Sequence, residues 1–288
     1  EYLVNWKNNG YAIRNFSDEK GKIRSHNYNL DFIFKKGITW NALSSGNTSF
    51  RVLDKSLFDN AGSSLFCKNE HYYNLLGYLN SKLIQKIVPI INPTSNYQPG
   101  TISSLPYLIK DVENIVRQNI SISKLDWDAH ETSWNFKCNP LLERMNDCGQ
   151  NVADLDMLDE EDRDEILANI QVPTNAHLLN DVVEAYKHHW EKKFKQLHAN
   201  EEELNRQFIE IYGLQDELTP DVPLDEVTIL QKGEIDIVNG QIVWNEGIII
   251  KQLISYVVGC FMGRYSLDKP GLIIASQNQD LSALGVNV

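Results

Sequence analysis

The 288-residue sequence predicts an α+β fold, a β-rich part followed by a mainly helical part with a long heptad-like helix. Three observations predict it. Residues 1–70 hold short apolar and aromatic segments cut by turn residues, the pattern of strands rather than helices. Val183, Trp190, Leu197, Leu204 and Ile211 recur every seven residues, the seam of one long helix packed on a partner. Asn239-Gly240 separates Glu234–Val238 from Gln241–Trp244, a two-residue hairpin turn that needs positive φ at both positions.

In chain order, Tyr2 to Trp6 alternates weakly, Leu30 to Phe34 is apolar and aromatic, and Phe50–Leu53 and Ser64–Cys67 are short strand candidates. Asn8-Asn9-Gly10 and Glu19-Lys20-Gly21 read as turns. From Tyr72 to Ile91 the period becomes helical, with Leu75, Leu76, Leu79, Leu83, Ile84 and Ile87 on one face and Pro89 ending or kinking the helix. A short helix is expected from Asp111 to Gln118, then a connector rich in Trp and acids from Ser121 to Leu142. Asn146 to Glu165 is strongly acidic and reads as surface. The heptad segment runs from Asn175 to Tyr212, as one helix or as two joined near His198-Ala199-Asn200, with Gly213 as a C-terminal cap. Ile250, Leu253, Ile254, Val257, Val258, Phe261 and Met262 then mark a final helix. The expected division is 1–120, 121–174 as an acidic connector, and 175–288 as a helical part carrying the hairpin.

The chain is long enough for one large or two ordinary domains, and its 42% apolar and 10% aromatic residues exclude a disordered polyelectrolyte. Cys67, Cys138, Cys148 and Cys260 never approach CxxC spacing, which argues against a zinc or dithiol motif and fits a cytoplasmic protein. No signal peptide is expected, and the apolar run Ile248–Met262, interrupted by Lys251, is too short to span a bilayer. The net charge of −12 argues against a simple nucleic-acid binder. Its distribution reverses that argument for the first part. Residues 1–130 carry 15 Lys and Arg against 11 Asp and Glu, whereas residues 131–288 carry 12 against 28. The first part can dock a polyanion; the second would be repelled by phosphate.

Two polar, Gly-punctuated loops flanked by apolar segments carry the functional signal. Gly37–Arg51 contains Trp40-Asn41-Ala42-Leu43-Ser44-Ser45-Gly46-Asn47-Thr48, and Asn92–Gly100 contains Asn96-Tyr97-Gln98-Pro99. Between them lies Leu75-Leu76-Gly77-Tyr78-Leu79-Asn80-Ser81-Lys82. That order resembles the target-recognition region of large bacterial DNA methyltransferases and of restriction-system specificity subunits. Ser123–Asp128, Glu131–Phe136, Asn200–Asn205, Ile211–Leu218 and Ser255–Asp268 are similar to stretches of the PglX family, the adenine-specific DNA methyltransferases of bacteriophage-exclusion (BREX) defence systems. The resemblance covers nearly the whole chain. It implies that the parent protein transfers a methyl group from S-adenosylmethionine to the exocyclic amine of adenine, acting on double-stranded DNA. Family members carry a Gly-rich cofactor loop and an Asn-Pro-Pro-Tyr/Phe motif that holds the flipped base. Here no Gly-x-Gly occurs, and the only Asn-Pro pairs are Asn92-Pro93-Thr94 and Asn139-Pro140-Leu141. The segment is therefore expected to lie C-terminal to the catalytic domain as an excised piece, with no catalytic residue, cofactor site or metal of its own.

Lys22, Arg24, Lys35, Lys36 and Arg51 are the phosphate candidates, since they sit among loops in the basic part; the alternative is ordinary solvated charge. Ser44, Ser45 and Asn47 can pair with base edges or phosphate oxygens, or simply supply turn hydrogen bonds around Gly46. Asn96, Tyr97 and Gln98 can enter a groove, with Gln98 bidentate to adenine, or serve an architectural role. The pairs Asp126/Asp128 and Asp154/Asp156 lack the nearby Glu-x-Lys of a phosphodiesterase site and read as capping or solvated carboxylates. His188-His189 on a helix point in different directions and do not clasp one metal. The sequence thus points to a segment that chooses the DNA site while a catalytic domain of the same chain does the chemistry. Other defence-system subunits are possible partners, and no membrane is expected. The rival readings are a protein-interaction scaffold without DNA binding and, more remotely, a stand-alone nuclease.

Overall fold

The computed structural model describes residues 4–25, 29–44, 48–59, 61–142 and 179–273. The acidic segment from Asn146 to Glu165, Asp154/Asp156, Cys148, Ser45 and Asn47 lie outside these residues. The chain divides into two compact units. One takes Tyr2–Arg117 and Asn200–Asp221; the other takes Gln118–Ala199 and Val222–Val288. The architecture is mixed α+β and mostly helical.

In the first unit a three-stranded antiparallel sheet has the order β2-β1-β3, with β1 at Gly37–Asn41, β2 at Arg51–Leu53 and β3 at Gly62–Leu65. Ile38 faces Val52 on one side and Leu65 on the other. β1 occupies what the sequence presents as the start of a polar loop. Ile38-Thr39-Trp40 is a β-branched and aromatic run, and Ile38 and Trp40 are 0% and 1% exposed. Two other strand candidates are not strands. Val4–Trp6 leads into α1, Lys7–Arg14, which opens on three left-handed residues at Asn8, Asn9 and Gly10. Leu30–Phe32 is a 3₁₀ turn bounded by positive φ at Asn29 and Phe34, which no strand accommodates.

The single helix expected over 72–91 is two helices, α2 at Asn69–Asn80 and α3 at Lys82–Ile91. Ser81 between them is extended, and its hydroxyl donates to the Tyr78 carbonyl at 2.7 Å. Pro89 lies in the last turn of α3. After α4, Pro99–Ser103, comes α5, Glu113–Asp128, longer than the sequence indicated because the supposed connector continues the helix. Tyr78 is the hub of this unit, stacked on Tyr212 and edge-on to Phe208. Gly77 lets α2 approach Val112 and Val116 closely: a Cβ there would lie 2.7 Å from Val116 Cγ2.

The second unit is built around α6, Leu179–Ile211, which supplies it with residues up to Ala199. Val182, Val183, Tyr186, Trp190, Phe194 and Leu197 are buried with Ile122, Leu141, Val227, Ile229, Leu230 and Ile249 in one core. The helix is unbroken, and of the heptad read in the sequence Val183, Trp190 and Leu197 lie in this core, whereas Leu204 and Ile211 fall among the residues of the first unit. Its end is capped as expected: Gly213 has φ 67°, and the Gly213 and Leu214 N–H groups donate to Glu210 and Ile209 carbonyls. The hairpin pairs β4, Ile235–Val238, with β5, Gln241–Trp244, and both turn residues have positive φ, 51° at Asn239 and 71° at Gly240. α7, Glu246–Phe261, follows directly. Among the described residues no helix is long and apolar enough to cross a membrane.

Candidate nucleic-acid interface

The two loops singled out by sequence are joined. Leu43 and Asn96 form an antiparallel bridge. The Ser44 N–H donates to the Ser95 carbonyl at 3.1 Å, and the Tyr97 N–H to the Ala42 carbonyl at 2.7 Å. From below, the buried Trp40 indole donates through Nε1 to the Tyr97 carbonyl at 2.8 Å. Trp40 also packs on Phe50, whose backbone N–H and C=O are both held by the Asn80 carboxamide at 3.0 and 2.9 Å. A main-chain clasp on an aromatic base therefore presents Ser44, Asn96, Tyr97 and Gln98 together.

The second loop is knit by its own side chains. Asn92 Nδ2 donates to the Asn96 carbonyl at 2.7 Å, and Asn92 Oδ1 accepts the Thr94 N–H and hydroxyl at 3.2 and 2.7 Å. Gln98 Nε2 donates to Asn96 Oδ1 at 2.6 Å. Arg51 sits at the same end of the sheet. It pairs with Thr39 across β1, and its Nη2 donates to Asn41 Oδ1 at 2.6 Å, two residues before the Leu43 bridge.

The remaining cations lie elsewhere. Lys35 and Lys36 precede β1 at its opposite end, a strand length or about 15 Å from the clasp. Lys35 lies over the Phe32 ring, and Lys36 lies 4.1 Å from the Tyr72 and 4.5 Å from the Tyr73 centroid and donates to the Tyr73 hydroxyl at 3.0 Å. Arg117 lies 3.9 Å over the same Tyr73 ring, a second cation that the sequence reading did not single out, and Glu113 pairs with it. Its only sequence signal was the i,i+4 spacing to Glu113. Lys22 and Arg24 belong to a turn closed by the Ser17–Ile23 bridge. Asp18 holds that turn: it accepts the Lys20 and Lys22 backbone N–H groups and pairs with the Arg24 guanidinium at 2.7 Å. Arg24 thus brings less net positive charge to a phosphate than Arg51 does.

The other candidates resolve into structural roles. Asp126 Oδ1 accepts the Leu230 N–H at 2.9 Å, while Asp128 takes the Lys124 ammonium and the Ser133 hydroxyl. Burial raises the Asp126 pKa, more than offsetting the Leu230 N–H that works the other way. His189 packs edge-on to Trp190, and His198 Nε2 contacts the Val222 carbonyl at 2.7 Å. Among the described residues no group of three or more His, Cys, Asp or Glu is placed to hold a metal. Neither Asn-Pro pair fits the base pocket of an S-adenosylmethionine-dependent adenine methyltransferase: Asn92 is spent inside its loop, and buried Asn139 accepts the Leu141 N–H at 3.0 Å.

The unit holding the clasp carries the two loops singled out by sequence, and over nearly its whole length the chain is similar to adenine-specific methyltransferases. No family model matches. The chain is 38% identical to the adenine-specific methyltransferase PglX of Lacticaseibacillus casei (strain Zhang), over 98% of this chain and 21% of that protein. It is 30% identical to the adenine-specific methyltransferase BrxX of Escherichia coli O9:H4 (strain HS), over 96% of this chain and 20% of that protein. The chain belongs to the PglX family of adenine-specific methyltransferases and spans about a fifth of the length of the curated relatives it matches.

Proposed function

We propose that this chain is the DNA-recognition segment of an adenine-specific methyltransferase of a bacteriophage-exclusion system. It would position duplex DNA for a catalytic domain of the same parent polypeptide, which supplies the S-adenosylmethionine site. The observation that carries the reading is the joining of the two loops by the Leu43–Asn96 bridge and the Trp40–Tyr97 bond, with Arg51 held beside them. Such a surface offers polar side chains for base edges and a cation for phosphate on a rigid support.

The test is a gel-shift titration of the chain on duplex DNA at two salt concentrations, repeated with Lys22→Ala, Arg24→Ala and Arg51→Ala. Salt-dependent binding is expected, with Arg51→Ala weakening it most and lowering the salt slope by about 1. An unchanged slope in all three variants would remove this surface from the phosphate contacts.

One observation favours a second role, that of a protein-interaction scaffold, for the other unit. On α7 and the residue that caps it, Ile254, Val257, Val258, Phe261 and Met262 recur at helical spacing and are between 37% and 88% exposed. The relatives are about five times as long as the matched stretch, so further polypeptide of the parent protein is the occupant this face fits. Val258→Ser with Phe261→Ser should weaken association with the remainder of the parent supplied as a separate chain, and leave the gel shift unchanged.

A further inference from the structure

We propose that Gln98 reads an adenine in the DNA major groove and that Asn96 is its positioning residue; this rests on the recognition reading above. The chemistry starts from what a primary carboxamide offers, one C=O acceptor and two N–H donors. The major-groove edge of adenine presents N7 as an acceptor and the N6 amine as a donor, which a carboxamide matches in bidentate fashion. Gln98 Nε2 gives one hydrogen to Asn96 Oδ1 at 2.6 Å. In that bond Gln98 is the donor and Asn96 the acceptor, which leaves Gln98 one N–H and its carbonyl. The second Nε2 hydrogen suits N7, and Oε1 suits the N6 amine.

The support behind this side chain is built from both directions. Asn96 is bridged to Leu43, its carbonyl accepts from Asn92 Nδ2 and its N–H donates to Thr94 Oγ1 at 3.3 Å. Gln98 itself is extended before Pro99, with φ −71° and ψ 151°, the conformation a following proline imposes. Its carbonyl accepts the Thr101 N–H at 3.0 Å. Gln98 stands at the position preceding α4, yet its side chain makes no capping bond to that helix. A long exposed side chain whose amide is already oriented loses less conformational freedom on binding than a free one.

The experiment is selection of bound duplexes from a randomised pool by the chain and by Gln98→Ala, Gln98→Glu and Asn96→Ala, each checked for unchanged thermal unfolding. The parent should prefer adenine at one position by about tenfold or more, the discrimination of one bidentate contact. Gln98→Ala should erase that preference at that position alone. Gln98→Glu, an acceptor only, should move it toward cytosine, whose N4 amine donates. Asn96→Ala should keep adenine preferred but less sharply, a result that loss of folding would not produce. Duplex binding with the same base preferences in Gln98→Ala and Gln98→Glu would overturn this assignment and leave the recognition reading standing. Absence of any salt-dependent duplex binding by the parent would overturn the recognition reading, and this assignment with it.

Discussion

His130 Nε2 and Glu234 Oε1 meet at 2.6 Å, although 104 residues separate them, and both side chains are buried. His130 Nδ1 lies 2.6 Å from the Asp126 carbonyl, so each ring nitrogen faces an acceptor and the imidazolium is the form that satisfies both. Glu234 is surrounded by donors: Gln252 Nε2 reaches Oε1 at 2.7 Å and the Lys232 N–H reaches Oε2 at 2.9 Å. Burial works against both charges, but the partners prevail. His130 is held above its ordinary pKa by the Glu234 carboxylate, and Glu234 below its own by His130 and Gln252. The Asp126 carboxyl, raised by burial, also faces the pair.

The pair makes the stability of its unit depend on pH from both sides. The His130 contribution is complete below the unfolded histidine value of about 6.5 and is lost as pH rises through the raised folded value. The Glu234 contribution is complete above the unfolded value of about 4.3 and is lost as pH falls through the depressed folded value. His130→Ala should therefore cost most between these limits, about 3 kcal/mol, because it strands a buried carboxylate. Urea unfolding of parent and variant across pH checks this; a difference that does not vary with pH would refute it.

Asn205→Ala should destabilise the first unit by about 2 kcal/mol. The Asn205 carboxamide accepts the Lys82 N–H that opens α3 at 2.8 Å and donates to the Pro220 carbonyl at 3.0 Å. Its loss leaves two backbone groups without partners in a buried setting. Asn205→Asp, which keeps the acceptor, should recover part of the loss in the same denaturation assay.

Gly77→Ala sets two effects in opposition. Alanine is the better helix former by about 1 kcal/mol, but its Cβ would stand 2.7 Å from Val116 Cγ2 and 3.2 Å from Val112 Cγ2. Both valines are stiff at χ1, so the clash should prevail with a cost of about 1–3 kcal/mol. A variant as stable as the parent in thermal unfolding would show that α2 can shift.

Gly240→Ala places a Cβ at φ 71° with nothing nearby to meet it, so only backbone strain is added. A loss of about 1 kcal/mol is expected, and Asn239→Gly, relieving the neighbouring positive φ, should be nearly neutral. Faster amide exchange confined to Ile235–Trp244 in the alanine variant would report the weakened hairpin.

What the sequence displayed were features whose cause is local. Asn239-Gly240 dictated a hairpin because both positions need positive φ, and the seven-residue spacing on α6 dictated a helix because its apolar seam has that period. What it concealed depends on distant partners. The break at Ser81 accompanies a cap supplied by Asn205, 123 residues from Lys82, and the helical run beside it masks the break. β1 was hidden because its strand-forming core is three residues long, set between a glycine and an asparagine. Each polar loop could be marked from its own composition, but not the bridge that unites them. The Asp18–Arg24 pairing, which sets Arg24 apart from Arg51, was equally out of reach.

The clasp between the two loops is made of main-chain amides and carbonyls together with one indole N–H. None of these bonds depends on the side chain of Ser44 or Gln98. The identity of the residues at the tips is thereby uncoupled from the grip that holds them, as a type slug is from the press that carries it. Residues at the tips can therefore be exchanged while the frame that carries them stays in place.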